Sequence, residues 1–543
     1  MGTQILRNTK GIPTPQRTFR KYVRPEEWLD LPTLTQGDEV IHMLIKVYEE
    51  GGNWLGLNIE GDYEVDWGDG TTTTHSSGTV SEHDIQWSGV SSSTLTSFGY
   101  RQAIVTITPQ AGSSLTEMSS AAAPSDPSHR NNVVDIRMAA PNMVDMRQAF
   151  STYINLELFE FVGTNMVSDV TLTFSGCYNL KKVTQFDMSN ATLFDSTFSG
   201  CESLIEVPDM KITNPVRIAL MFRDCLELEY IPPMDCTNVT LANNAFEGCT
   251  KLKNNPIYNT QNITNIANIF RTCRSLTYVS LDLSSATLAD GLVRDCEALQ
   301  KVEILNPENV SITSSSFMFW NCVALTEVTP FDTSNSTNML YMFNNCGLND
   351  ISWVNVTSAC TNLQYAFHSN YIDKLPETID ISGLNSTSDL TFLSRGSRAR
   401  KLPTFTGILS PSVDRLDYLA DGMRYLEELP LFDTSNVTRA LRMLYNCQSL
   451  REIPAYDLSS LTVDMSTTWA YNCYNLRRSR VTGITVTHTY FNCQLDRDAI
   501  VEIFNNLGTV TGKTITITNN PGVTDLTPTD LAIATGKGWT VVS

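Results

Sequence analysis

Thirteen cysteines occur along the chain, and most are separated by a fixed interval. Cys177, Cys201, Cys225, Cys249 and Cys273 follow one another every 24 residues. Later members continue the series at positions 296, 322 and 346. A constant period of this length is typical of a solenoid or a propeller, in which each repeat is one structural unit. The interval therefore predicts a stacked repeat fold.

The residues around each cysteine repeat with it. Phenylalanine stands three residues before the cysteine and leucine three residues after it, as in Phe198, Cys201 and Leu204. This register continues where cysteine is replaced by another residue, which predicts fifteen coils. Their cysteine positions are 153, 177, 201, 225, 249, 273, 296, 322, 346, 370, 396, 423, 447, 473 and 493.

One such repeat cannot bury its own apolar side, so neighbouring coils must stack to form a continuous core. The recurring thiol is best interpreted as a small buried hydrophobic group. Disulfides between adjacent coils are an alternative. A zinc site is less consistent with the sequence, because it contains no CxxC and no histidine at ligand spacing. The predicted structural row contains Cys177, Cys201, Cys225, Cys249, Cys273, Cys322 and Cys346.

The repeat resembles a known family. The segment NMLYMFNNC that ends at Cys346, and the segment FDTSN that begins at Phe331, are similar to the BspA-type leucine-rich repeats of bacterial surface proteins. The similarity covers about residues 133–493. It implies a leucine-rich-repeat-like solenoid that serves adhesion or protein interaction, and it does not imply catalysis.

Residues 38–112 lack the repeat. Apolar and polar residues alternate in segments such as 42–48 and 102–108, with glycines between the segments, which predicts a small antiparallel β-sandwich. The WGDG sequence at 67–70 resembles a turn of PKD-like β-sandwich modules. Asp66 and Asp69 either shape a tight turn or hold a cation there.

Residues 1–37 are predicted to form an extended arm that is more basic than the rest of the chain. A disordered leader and a nucleic-acid-binding tail are alternatives to an arm that docks on a partner. In the docking interpretation the arginines meet an acidic surface and two apolar side chains anchor the arm. The predicted docking residues are Arg17, Arg20, Lys21, Arg24, Trp28 and Leu31.

The C-terminal residues 494–543 predict two short helices and two strands, which would cap the exposed end of the stack. The segment from Gly512 to Gly522, and the one from Ala534 to Val541, resemble the C-termini of phage tail-fibre and related virion proteins. The opening segment from Arg24 to Pro32 resembles marine-phage virion proteins that carry such repeats.

Together these patterns predict a mainly β protein. An N-terminal β-sandwich precedes a leucine-rich-repeat-like solenoid with coils of about 24 residues, and a small α/β cap ends the chain. The predicted segments are an arm at 1–37, a sandwich at 38–112, a linker at 113–132, a solenoid at 133–493 and a cap at 494–543.

Charge and hydropathy exclude several classes of protein. The 543 residues have a net charge of −20, which disfavours generic binding to nucleic acid or to anionic membranes. No run of 18 apolar residues predicts a membrane span. The first residues lack the apolar core of an export signal, so we expect assembly in the cytoplasm of the producing cell.

The sequence offers few candidates for chemistry. It contains no phosphate-binding loop, no nucleophile elbow and no metalloprotease or EF-hand motif, so we expect no enzyme activity and no cofactor. Arg395, Arg398, Arg400 and Lys401 form a basic cluster, either a solvated loop or a contact for an acidic neighbour. A further row is predicted as an internal ladder or, if exposed, a glycan platform: Phe186, Met210, Met234, Tyr258, Phe331, Phe405, Phe432 and Tyr456.

These observations favour a phage virion structural protein, such as a tail fibre or another appendage, anchored by its N-terminus. Its solenoid would contact the host surface or another protein. Capsid decoration without receptor binding and a bacterial surface adhesin are alternatives. The expected partners are other virion proteins and a host cell-surface glycan or protein. We expect a homo-oligomer, with a trimer by analogy with fibres.

Overall fold

A computed structural model describes residues 22–120, 132–207, 210–386, 390–407, 410–466 and 468–543. The predicted fold class is confirmed: the chain is mainly β, and its central part is a solenoid with coils of about 24 residues. Arg17, Arg20 and Lys21 of the predicted docking arm lie outside the described residues.

The N-terminal strands form two sheets that share one hydrophobic core. In one sheet the order is β4-β3-β6-β1, and in the other it is β5-β2-β7. Val65 from the first sheet, Trp67 directly after that strand and Leu57 from the second sheet lie in the common core. The strands are β1 (Val40–Val47), β2 (Trp54–Glu60), β3 (Tyr63–Asp66), β4 (Thr72–His75), β5 (Val80–Asp84), β6 (Arg101–Pro109) and β7 (Glu117–Met118).

The sandwich and the solenoid share a continuous sheet. β8 (Val133–Ala139) pairs antiparallel with β1 and parallel with β9 (Leu158–Phe161). The sandwich therefore covers the first coil and satisfies the backbone groups that an open end would expose. The segment predicted as a linker at 113–132 contains β7, which pairs with β2 of the sandwich. Residues 121–131 lie outside the described residues.

The described part of the arm packs on its own chain. Trp28 and Leu31 are buried in a small core with Leu44 and Val134. Arg24 donates to the carboxylate of Asp135, with Nε and Oδ2 2.8 Å apart. Arg24, Trp28 and Leu31 therefore have partners within their own chain, and their docking on another chain stays a prediction. Their apolar and charged groups are used within the chain, where β1 and β8 offer a matching surface.

The coils of the solenoid stack in parallel through backbone hydrogen bonds from each coil to the next. Phe174 N donates to Thr197 O, and Phe198 N donates to Met221 O, at 2.9 and 2.8 Å. The remaining solenoid strands are β10 (Lys182–Thr184), β11 (Met234–Asp235), β12 (Ile257–Tyr258), β13 (Tyr278–Asp282), β14 (Lys301–Leu305), β15 (Glu327–Val328), β16 (Thr378–Asp380), β17 (Thr404–Thr406), β18 (Glu452–Ile453), β19 (Arg478–Ser479) and β20 (His488–Thr489).

All thirteen cysteines are free thiols and buried. The seven that we predicted as a structural row lie inside the solenoid. In most coils the thiol also donates to a backbone carbonyl of the preceding coil; Cys201 Sγ lies 3.2 Å from Phe174 O, and Cys225 Sγ lies 3.2 Å from Phe198 O. Burial raises the pKa of the Cys177 thiol to about 12 and that of the Cys201 thiol well above its usual value, which favours the protonated form over the nucleophilic thiolate.

Two cysteine positions differ from the predicted register. In those coils Ser369 and Ser397 are buried, whereas Asn370 is exposed and Gly396 is partly exposed. Each serine hydroxyl donates to a carbonyl of the preceding coil, at Cys346 O and Ile372 O. Serine can therefore also bond to the preceding coil, although through a different carbonyl from the one that the thiol uses.

The row predicted nine residues after the cysteine positions is mostly internal. Phe186, Met210, Met234, Phe331, Phe405 and Tyr456 are buried, and Phe432 is partly buried. Tyr258 differs, with 48% of its surface exposed. The interior interpretation is therefore correct for most of this row, and the row does not form a glycan platform.

The C-terminal cap continues the solenoid. β21 (Lys513–Thr516) and β22 (Trp539–Val542) extend the parallel sheet from β20. Helix α1 (Arg497–Asn506) begins after Asp496, whose side chain accepts from Ala499 N. Helix α2 (Pro528–Thr535) begins with a capping box between Thr527 and Asp530. Neither helix in the described part of the chain is long and apolar enough to cross a membrane.

His488 makes the stability of the cap dependent on pH. It is fully buried against Tyr490 and Trp539, and burial lowers its pKa to about 4. The unfolded chain binds this proton near pH 6.5, so stability falls as the pH drops from 6.5 to 4. We expect His488→Phe to reduce that loss by about 3 kcal/mol. Urea unfolding at several pH values tests this; equal pH profiles for both proteins would contradict it.

Candidate functional site

The described residues contain no cluster of histidine, cysteine and carboxylate side chains that could hold a metal ion. Asp69, a candidate cation ligand, points its oxygens at protein donors instead. Its Oδ2 accepts from His83 Nε2 at 2.8 Å and from Gln86 N at 2.9 Å. Although burial raises the pKa of the Asp69 carboxyl, these hydrogen bonds hold it below its usual value. Asp66 Oδ1 accepts from Gly68 N within the turn.

A row of stacked aromatic rings lies on the side of the solenoid. We call it the outer aromatic row. Adjacent rings are 4.2–5.4 Å apart and nearly parallel. The rings are only partly exposed, so their faces contact one another and their edges meet solvent. The row consists of Phe317, Tyr341, Tyr365, Phe392 and Tyr418.

Each member of this row has a left-handed backbone, with φ between 56° and 59°. This conformation is uncommon for aromatic residues, and here the tight turn that begins each coil imposes it. Because the coils are in register, this turn occupies the equivalent position in each of these coils. The turns therefore stack the rings on one another, although the ring-bearing residues are not part of a regular β-strand.

Arginines flank the outer aromatic row. Arg395 lies 5.7 Å from the ring centres of Phe392 and Tyr418, and Arg442 lies 5.6 Å from that of Tyr418. Both guanidinium groups also bond to Asp421, at 3.0 and 3.2 Å. The Asp421 side chain is only 4% exposed, so a buried carboxylate holds two arginines in fixed positions.

A second row contains amide side chains directly before the cysteine position. Asn345 donates to Asn321, and Asn472 donates to Asn446, at 2.7 and 3.1 Å. In the coils between these two asparagine pairs, Gly396 and Gly422 take the place of the asparagine, with φ of 72° and 75°. The missing side chains interrupt the amide row.

A recess of about 830 Å³ lies at this interruption. We call it the arginine cleft. Gly396 and Gly422 belong to its lining, with Tyr425 and amide groups at its sides. Its four guanidinium groups and one carboxylate give a local charge of +4 − 1 = +3 on a chain whose net charge is −20. The arginines are Arg395, Arg398, Arg424 and Arg442.

The four arginines differ in their partners. Arg395 and Arg442 share Asp421, and Arg398 bonds to the exposed Asp373 at 3.2 Å. Arg424 is exposed, and in the part of the chain that the structure describes it makes no ion pair. One guanidinium group of the cleft is therefore unpaired.

His368 also lies in the cleft. Its Nδ1 is 2.8 Å from Asn344 Nδ2, so it accepts a hydrogen bond from that amide. Burial and the neighbouring Arg395 lower the pKa of His368 to about 4. At neutral pH the ring is uncharged, so the positive charge of the cleft comes from arginine alone.

The basic cluster predicted from the sequence is divided between two places. Arg395 and Arg398 line the cleft, whereas Arg400 and Lys401 pair with Glu427 and Glu428 beside it. Sequence reasoning missed Arg424, Arg442 and Asp421, which are brought to the cleft from the next two coils. The available signal was the change from asparagine to glycine directly before the cysteine position.

A second basic recess lies farther along the stack. Arg451 and Arg477 line it and sit on adjacent coils, where Arg477 N donates to Arg451 O at 2.9 Å. Like charges at directly opposed positions repel each other. Among the described residues neither guanidinium group makes an ion pair, so the basic surface extends beyond the cleft.

Two family comparisons match the repeats. Residues 146–253 are similar to the family described as BspA type Leucine rich repeat region (6 copies). Residues 216–350 and 288–372 match the family described as Mycoplasma protein of unknown function, DUF285. The first match supports a BspA-like leucine-rich-repeat region. No curated protein sequence matches the chain significantly.

Solved structures with related repeats also match. A leucine-rich repeat protein from Bacteroides ovatus is 13% identical, with a TM-score of 0.36, over 76% of this chain and 96% of its own. A leucine rich cell surface protein from Faecalibacterium prausnitzii is 16% identical, with a TM-score of 0.27, over 54% and 83%. An internalin from Listeria monocytogenes is 11% identical, with a TM-score of 0.15, over 76% and 86%.

Proposed function

We propose that the chain is a non-enzymatic virion structural protein whose repeat solenoid contacts another surface. The observation that carries the contact role is the arginine cleft, a recessed basic site on the side of an otherwise acidic chain. Its charged groups include four arginines, two of which are held by a buried carboxylate, and its histidine is neutral at physiological pH. Such groups bind and orient anions, and a histidine whose pKa is about 4 is only a weak base near neutral pH.

The virion assignment is supported by the sequence resemblance of the two ends to phage virion proteins. In this proposal the sandwich serves as the anchor. Its sheet is continuous with the first coil, so attachment of the sandwich would also fix the orientation of the solenoid. Residues 1–21 carry Arg17, Arg20 and Lys21 and are the part of the arm proposed to meet other virion proteins. The proposed assembly is a homo-oligomer, with a trimer as the fibre-like state.

Competition against infection tests the contact role. The purified chain should bind host cells and reduce infection by particles that carry the protein. If the chain binds no cells and particles that lack it are unstable, capsid decoration without receptor binding is the correct function. If the chain is found on the surface of bacterial cells and on no particle, the adhesin alternative replaces the virion.

A deletion variant tests the proposed contact of residues 1–21 with other virion proteins. Removing residues 1–21 leaves Arg24, Trp28 and Leu31 in place, so the fold should persist. We expect this variant to remain soluble and folded but to be missing from assembled particles. Normal incorporation of the variant would place the attachment elsewhere in the chain.

A further inference from the structure

We propose that the arginine cleft binds an acidic polysaccharide, a chain of sugars that bear carboxylate groups. This inference rests on the proposed contact role and names the ligand class of that site. Three features of the cleft support this ligand: its arginines, the tyrosine and amide groups beside them, and the continuation of the basic surface along the stack.

The charge of the cleft is arranged for carboxylates. Guanidinium groups bind carboxylates through two parallel hydrogen bonds, which fix the direction of the anion. Asp421 already holds Arg395 and Arg442 in position, so these two groups lose little side-chain freedom when a ligand binds. Arg424 has no ion-pair partner among the described residues and is available to a ligand.

The other lining groups suit sugar rings and hydroxyl groups. Tyr425 is 53% exposed beside Arg424, and its ring can cover the apolar face of a sugar. Asn370 and Asn446 line the cleft and provide amide donors and acceptors for hydroxyl groups. The outer aromatic row does not serve this purpose, because its ring faces are occupied by neighbouring rings.

The ligand is extended. The coils at Ser397, Met423, Cys447 and Cys473 are successive, and three steps of about 4.8 Å span about 14 Å. Unpaired Arg451 and Arg477 lie toward the far end of this span. A polymer whose anionic groups recur along its length can meet both recesses at once, which an isolated carboxylate cannot.

A phosphate polymer such as nucleic acid fits this arrangement of groups less well. Phosphate chains bind long basic tracks, and here acidic side chains interrupt the basic surface, since Asp373 pairs with Arg398 and Glu427 lines the second recess. Among the described residues of the cleft there is also no exposed row of ring faces on which bases could stack. We therefore assign the site to carboxylated sugars. Stronger binding of a phosphate polymer would contradict this assignment.

Two variants and a matched control test the site. Arg424→Gln removes the unpaired charge. Gly422→Asn fills the floor of the cleft and should fold, because Asn446 and Asn472 hold the same position with positive φ in the next coils. A β-carbon at Gly422 would meet only Gly396 Cα, at 4.0 Å. The control, Arg274→Gln, removes an exposed arginine from the coil position of Arg424, far from the cleft.

The binding experiment uses the full chain with oligomers of polygalacturonate, alginate and hyaluronan, measured by calorimetry at two salt concentrations. We expect at least one carboxylated oligomer to bind, and its methyl ester to bind much more weakly. Arg424→Gln should weaken binding about tenfold, and Gly422→Asn should abolish it. Arg274→Gln should bind as the parent does, and all variants should keep the parent's unfolding temperature.

Several results would overturn the inference. They are binding of none of the three oligomers, stronger binding of oligothymidylate than of any of them, and an equal loss in Arg274→Gln and Arg424→Gln. The proposed contact role is judged separately by competition against infection. If the parent and Gly422→Asn compete equally well against infection, the contact role is supported and this ligand is ruled out as its basis. If the chain binds the oligomer at the cleft but does not compete against infection, the ligand is supported and the contact role is wrong.

Discussion

Arg24→Ala should lower the free energy of unfolding by about 3–5 kcal/mol, because it leaves a buried carboxylate without its partner. Asp135 is 5% exposed in its side chain and accepts from Arg24 at 2.8 Å. Arg24 also donates to the carbonyl oxygens of Trp28 and Leu29, so the same change loosens the arm. Urea unfolding, followed by tryptophan fluorescence, measures the loss.

Two further variants separate the buried charge from a general effect of removing a cation. Lys253→Ala breaks an exposed pair with Glu229 and should cost less than about 1 kcal/mol. Arg24→Met combined with Asp135→Leu removes both charges and should recover much of the stability. If Arg24→Ala costs no more than Lys253→Ala, the pair does not hold the arm.

The pH dependence of Arg24→Ala has a defined sign. Burial already raises the pKa of the Asp135 carboxyl in the folded protein, and removing Arg24 raises it further. The folded state then binds a proton at a higher pH than the unfolded state does. The loss in stability should therefore shrink as the pH falls toward the ordinary carboxyl pKa of about 4.

Leu228→Ala should cost about 2–5 kcal/mol, because it opens a cavity in the middle of the stack. Leu228 is completely buried in the continuous core and follows Cys225 by three residues, as leucine does in most coils. Coils on both sides contact this position, so little collapse can fill the space. Urea unfolding gives the cost.

Leu431 supplies the matched control, since it lies in the solenoid and is 65% exposed. Leu431→Ala should change stability by less than about 0.5 kcal/mol. Because each coil contacts only its neighbours, hydrogen exchange should show lost protection around residue 228 and little change near the cap. A similar cost for both variants would argue against the predicted register.

The repeat and its core were predictable because identical coils need identical residues. Phe198, Cys201 and Leu204 recur at a fixed interval, and only stacking can bury them together. The two C-terminal helices were predictable for a local reason, since Asp496 and Thr527 cap them within a few residues of sequence. The sandwich strands were visible in their alternation of apolar and polar residues.

The tertiary structure alone decided where the ends of these units meet. Trp28 and Leu31 are large apolar residues of the kind that anchor a segment on a partner. In this protein β1 and β8 provide the apolar surface for them within the same chain. Nothing local in the sequence distinguishes an anchor for a partner from an anchor for another part of the chain. The pairing of β1 with β8, which merges sandwich and solenoid, is equally non-local.

The arginine cleft shows the same division. The proximity of Arg395 and Arg398 follows from the sequence, because they are three residues apart in one coil. Only stacking brought Arg424 and Arg442 beside them, across intervals of about one and two coils, and buried Asp421 between two guanidinium groups. A coil rise of about 4.8 Å places residues 24–27 positions apart in contact, so surface sites on a solenoid are built across the chain rather than along it.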